Sequence, residues 1–184
     1  MNKNSLFCQL RHDRYVVLSI LFTAFALPIS AHADDDWPCT VTLCLANPQG
    51  PTQVAECVPP IQQLWSELAH GHAFPTCDMT DNGRAPGNTS THQWTTGENC
   101  PPQYQYWAGS DQSTLACRYT GVVTINLAGA PYIRVWWNSN SSVTENISAE
   151  AISTPGASTQ FQDDYAAWQL AQAAAAAAAG TGAN

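Results

Sequence analysis

The chain has 184 residues and sets six Lys and Arg against fourteen Asp and Glu, a formal net charge of −8. So acidic a chain is repelled by phosphate backbones and by anionic lipid headgroups, which disfavours nucleic-acid and membrane-surface binding. Its length fits one domain with short extensions.

The first 33 residues read as a secretory signal peptide. Lys3, Arg11 and Arg14 form a positive lead, Val16 to Leu27 is an apolar run, and Ala31-His32-Ala33 is a small-residue cleavage site. Twelve apolar residues are too few to span roughly 30 Å of hydrocarbon as a helix. Cleavage before Asp34 predicts a soluble remainder in the periplasm. That remainder carries three arginines and no lysine against thirteen acids, a net charge of −10.

Export changes the meaning of the cysteines. Cys8 leaves with the leader, and Cys39, Cys44, Cys57, Cys77, Cys100 and Cys117 remain. An even set in a small exported domain reads as three disulfides, each contributing about 2 to 4 kcal/mol. Six cysteines allow 15 pairings, and local geometry ranks them.

Residues 39–46 (CTVTLCLA) follow Pro38, suited to a first helical turn, and stop at the breaker cluster Asn47 to Pro51. Their β-branched content makes a strand the competing reading. From Pro59-Pro60 to Gly71, Ile61, Leu64, Trp65 and Leu68 fall at i, i+3, i+4 and i+7, one face of an amphipathic helix. Two helices joined by the 48–57 loop form an antiparallel hairpin. Such a hairpin brings Cys39 to Cys77 and Cys44 to Cys57, within the span a disulfide bridges. Cys100 and Cys117 then pair by exclusion, closing a polar, aromatic-bearing loop.

Residues 78–99 are rich in turn formers and read as a surface loop. Ala116 to Leu127 and Pro131 to Trp137 are dense in β-branched and aromatic residues and flank Ala128-Gly129-Ala130, a β-hairpin signal. In the second strand Ile133, Val135 and Trp137 form an apolar face, opposite Tyr132, Arg134 and Trp136. Residues 143–146 suit one more short element. Residues 154–159 read as linker and cap, followed by a helix with Phe161, Tyr165 and Trp168 on one face and seven consecutive alanines. Beyond Gln172 that helix has little to bury and is expected to fray or protrude, unless a partner helix covers it.

Taken together, these elements predict a small α+β, disulfide-stapled domain. An N-terminal helical hairpin packs on a short antiparallel sheet, with an Ala-rich C-terminal helix. The divisions are residues 1–33 for the leader, 34–152 for the stapled domain, and 153–184 for linker and tail.

The chemistry-bearing residues are sparse. His70, His72, Cys77 and His92 have the types of a zinc site, but thiolates do not stay reduced in an oxidising compartment. No Cys-x-x-Cys pair is present. Glu67, beside Trp65, is the one carboxylate with apolar company of the sort a cell-wall hydrolase uses, and no second acid accompanies it at a defined spacing. The expectation is therefore no enzyme, no cofactor and no metal. Tyr104, Tyr106, Trp107 and Trp136 are the candidates for an interaction surface, since aromatics with a polar handle favour interfaces.

One further pattern stands out: Pro-Cys-Thr-Val-x-Leu-Cys-Leu-Ala-Asn-Pro at 38–48, Glu56-Cys57-x-Pro-Pro-Ile-x-x-Leu-Trp, and Phe74-Pro-Thr-Cys77. It resembles the TrbM/KikA/MpfK proteins of conjugative plasmid transfer. The resemblance is densest over residues 38–79, extends through Cys100-Pro-Pro-x-Tyr, Cys117 and the VWWN strand, and stops before Ser153. It implies a periplasmic accessory protein of mating-pair formation, a type IV secretion system, whose partners are other periplasmic or membrane-anchored secretion and pilus components. The alternative reading is a secreted toxin-like or inhibitory binding module. A third is a peptidoglycan-acting enzyme that uses Glu67.

Overall fold

A computed structural model describes residues 36–79 and 85–181. The signal-peptide reading of residues 1–33, with Cys8 and the cleavage site, lies outside the described residues, all of which fall in one compact unit. The chain is α+β. Helix α1 spans Trp37–Leu45 and α2 spans Val58–Ala69, with a single 3₁₀ turn at Ala55–Cys57 between them. The competing strand reading of residues 39–46 fails because Val41, Thr42, Cys44 and Leu45 are buried while Leu43 between them is 75% exposed, the pattern of one helical face and not of a period-2 alternation. Prolines sit in the first turn of both helices, where a missing N–H costs nothing.

Both rungs of the helical hairpin are present: Cys39–Cys77 has a Cα separation of 4.8 Å and Cys44–Cys57 one of 5.6 Å. The third bond, Cys100–Cys117, closes the predicted aromatic loop. That loop is itself a two-stranded ribbon, with β2 (Gln105–Ala108) antiparallel to β3 (Thr114–Cys117).

The main sheet has four antiparallel strands, β1 (Thr89–Trp94), β4 (Gly121–Leu127), β5 (Ala130–Trp137) and β6 (Ser142–Asn146), in the order β1-β4-β5-β6. Strands β4 and β5 meet at Ala128-Gly129, with φ of 50° and 81°. Positive φ at both central residues matches the right-handed twist of the flanking strands.

Two sequence expectations are corrected here. Residues 78–99 are not all surface loop, because Thr89–Trp94 pairs with Gly121 to Asn126 of β4. This segment has no aliphatic side chain, as an edge strand with largely exposed faces permits, and its threonines suit a pleated backbone. Similarly, residues 116–127 are not one strand. The chain bends at Arg118–Thr120, where Tyr119 turns inward to 6% exposure and Thr120 N–H donates to Trp137 O, so β3 and β4 belong to different sheets.

The sheet is covered on both faces. On one side Val123, Ile125, Ile133, Val135 and Trp137 pack against Val41, Leu45, Ile61, Leu64, Trp65 and Leu68 of the helical hairpin. On the other, Val122, Trp136 and Val143 pack beneath Cys100, Tyr104 and Tyr119. The single alternation of β5 thus feeds two cores.

The segment after β6 also departs from a free linker. A short helix α3 (Ala149–Ser153) is capped by Ser148, whose Oγ accepts from Ala151 N–H. Residues 155–158 are tied to the first loop: Gln49 Nε2 donates to Pro155 O and Ser158 N–H to Pro48 O, while Asn146 Nδ2 donates to both Pro48 O and Ser158 O. Helix α4 (Gln160–Thr181) follows, its first turn joined to the body and its alanines exposed.

Candidate interaction surfaces

The four aromatic candidates divide in half. Tyr106 and Trp107 on β2 are 52% and 60% exposed, large apolar groups held out to solvent. Tyr104 and Trp136 are 2% and 5% exposed, so neither forms part of a surface. Their polar atoms explain the burial. Tyr104 O–H donates to Asp164 Oδ2 of α4 at 2.8 Å, and Trp136 Nε1–H donates to Glu145 Oε2 at 2.9 Å. A satisfied polar handle lets a large ring enter the core at little cost. Burial, reinforced by the bond to Asp164, holds the Tyr104 hydroxyl far above the usual tyrosine range.

Trp94, which falls within the segment read as loop, is 49% exposed. It closes an aromatic cluster at the end of the sheet, with ring centroids 4.9 Å from His92 and 5.8 Å from Trp137. His92 also lies 6.1 Å from Phe74 and 5.6 Å from Trp137. Burial among these rings lowers its pKa below the ordinary histidine value. The signal for this cluster was period 2 in Ser90, His92 and Trp94, masked by the turn formers around it.

The metal-type residues do not converge. Among the described residues no group of three His, Cys, Asp or Glu side chains is placed to hold an ion, and Cys77 is bonded to Cys39. His72 Nδ1 pairs with Glu67 Oε2, with the two side chains 65% and 38% exposed. Glu67 thus sits on the solvent flank of α2, next to an exposed imidazole rather than in an apolar cleft.

A groove of about 720 Å³ runs between α2 and the β5–β6 turn. Gln62, Trp65, Ser66 and His70 line its helix side, and Ser139 to Ser142 line the turn side. Trp65 is fixed by stacking on Trp137, with centroids 5.1 Å apart and planes within 4°. The turn is closed around one oxygen: Asn138 Oδ1 accepts from Asn140 N–H, Ser141 N–H and Ser141 Oγ–H.

Comparison with models of known protein families, with curated proteins and with solved structures finds no match. The surfaces themselves therefore carry the argument about function: an exposed aromatic ribbon, a partly open aromatic cluster and an uncharged groove.

Proposed function

We propose that this chain is an exported accessory protein of plasmid conjugal transfer, acting by protein–protein contact in the periplasm as part of a type IV secretion and mating-pair apparatus. The reading rests on the cysteine, proline and tryptophan pattern of residues 38–79, which resembles the TrbM/KikA/MpfK proteins. The three disulfides are compatible with an oxidising, extracytoplasmic location. Exposed Tyr106 and Trp107 are the surface on which this function would depend, because large aromatics presented by a stapled ribbon bind at low entropic cost.

The test is genetic. Deleting the gene from a conjugative donor is expected to reduce transfer, and the wild-type gene supplied in trans is expected to restore it. A Tyr106→Ala/Trp107→Ala double variant is expected to accumulate normally yet fail to restore transfer. Unchanged transfer on deletion would overturn the proposal. Full rescue by the double variant would remove the ribbon from it.

A further inference from the structure

We propose that the groove between α2 and the β5–β6 turn is a binding site for a neutral saccharide. The groove is lined by Thr52, Gln62, Trp65, Ser66, Ala69, His70 and Ser139–Ser142, without one Lys, Arg, Asp or Glu, in a chain of net charge −8. An anionic ligand finds no lysine or arginine there, and a metal ion finds no carboxylate. A lipid or other wholly apolar ligand would strand the surrounding hydroxyl and amide groups without partners.

What remains is a ligand that is itself neutral and dense in groups that both donate and accept hydrogen bonds. Sugar hydroxyls have that character, and the side chains of Ser, Thr, Asn and Gln answer it with donors and acceptors of the same kind. Gln62 and Ser66 on one edge of α2 and His70 at its C-cap recur every four residues, a line of about 12 Å at the helical rise. That length suits a short oligosaccharide. His70 Nδ1–H donates to Ser66 O, which leaves Nε2 as the remaining hydrogen-bonding atom of the ring.

The site is also rigid before any ligand arrives. Trp65 is locked against Trp137, and the turn opposite is held by three bonds to the Asn138 side chain, with Asn138 N–H donating to Ser141 O at 2.9 Å. Ser139 and Asn140 are exposed at the crest of that turn. Polar groups fixed by the fold, rather than ordered on binding, reduce the entropic cost of association. The volume falls within the range of about 300 to 1,000 Å³ common to small-molecule sites.

The test uses isotope-labelled protein produced from the full-length chain and titrated with chitotetraose. The expected result is saturable shifts of the Gln62, Ser66, His70 and Asn140 amide signals. Ser66→Trp, which adds bulk at an exposed helical position, is expected to weaken binding at least tenfold while the rest of the spectrum is kept. Trp107→Ala, on the ribbon, is expected to bind within twofold of wild type. The absence of shifts at saturating sugar, shifts confined to the β2–β3 ribbon, or undiminished binding by Ser66→Trp would each overturn the proposal. Tighter binding of a neutral Gly-Ser tetrapeptide than of chitotetraose would overturn it in favour of a peptide site.

Discussion

The residue that most directly links burial to a measurable property is His92. It is enclosed by Phe74, Trp94 and Trp137, and its Nε2 is buried with no hydrogen-bond partner, so the folded state favours the neutral ring. Burial lowers its pKa when folded, whereas the unfolded chain protonates near the ordinary value of about 6.5. Between those two values the unfolded state binds more protons. The stability from neutral His92 is therefore complete above about pH 6.5 and declines as pH falls through the window beneath it. Urea midpoints measured from pH 7.5 to pH 5 should fall for wild type and fall less for His92→Phe. Equal slopes would show that His92 is not the group responsible. Gly121 is constrained by the same cluster, because a Cβ there would lie 2.7 Å from both His92 Nε2 and Trp137 Nε1. Gly121→Ala should cost about 1 to 3 kcal/mol in chemical denaturation, the usual range for overpacking a filled core.

At the scale of elements, the nested staple makes a prediction of order. Cys39–Cys77 closes a separation of 38 residues and Cys44–Cys57 one of 13. Chain entropy assigns the longer loop the larger effect, by about 1 kcal/mol. Replacing the outer pair by serines should thus lower stability more than replacing the inner pair, and the reverse order would point to strain or residual structure in place of loop entropy. These two helices were legible in the sequence because one periodic face and two cysteine spacings agreed on a single geometry. The β4–β5 hairpin was legible for a similar reason, its apolar alternation flanking a glycine turn. Strand β1 was not, since an edge strand needs no aliphatic face and its pairing with β4 is a long-range fact. The break between β3 and β4 escaped because Tyr119 and Val122 are both strand formers, yet they are pulled into the outer core by different contacts. The same limit applied to the aromatic candidates. Period 2 placed Trp136 away from Trp137, but nothing local showed that the β2–β3 ribbon would cover that second face. The groove is not legible in the sequence, because its two walls lie more than sixty residues apart in the chain.

On the scale of the whole molecule, the long C-terminal helix separates into a structural base and an unburdened extension. The base is docked: Phe161 packs into the outer core with its ring 5.9 Å from Tyr104, and Asp164 accepts the Tyr104 hydroxyl. Thr159 begins the helix, its Oγ–H donating to Asp163 Oδ2 while its carbonyl accepts from Asp163 N–H. From Gln169 to Gly180 every residue is exposed. An isolated helix this short is marginal, because the first turn fixes several residues for one hydrogen bond. Here the docked turns supply that nucleus, and the alanines, with the most favourable intrinsic propensity, propagate from it. Of the two expectations for the stretch past Gln172, fraying or protruding, the helix takes the second, and the extension stabilises nothing in the body. A chain ending at Gln172 should keep the thermal midpoint of the full chain within about 1 °C. One ending at Thr159 loses the Phe161 packing and the partner of Tyr104, together worth about 2 to 3 kcal/mol. For a domain this size that loss lowers the midpoint by roughly 4 to 12 °C. Equal midpoints for the two truncations would mean that α4 contributes nothing to the outer core. A large drop on removing only the alanines would mean that the extension is covered in solution by something beyond its own chain.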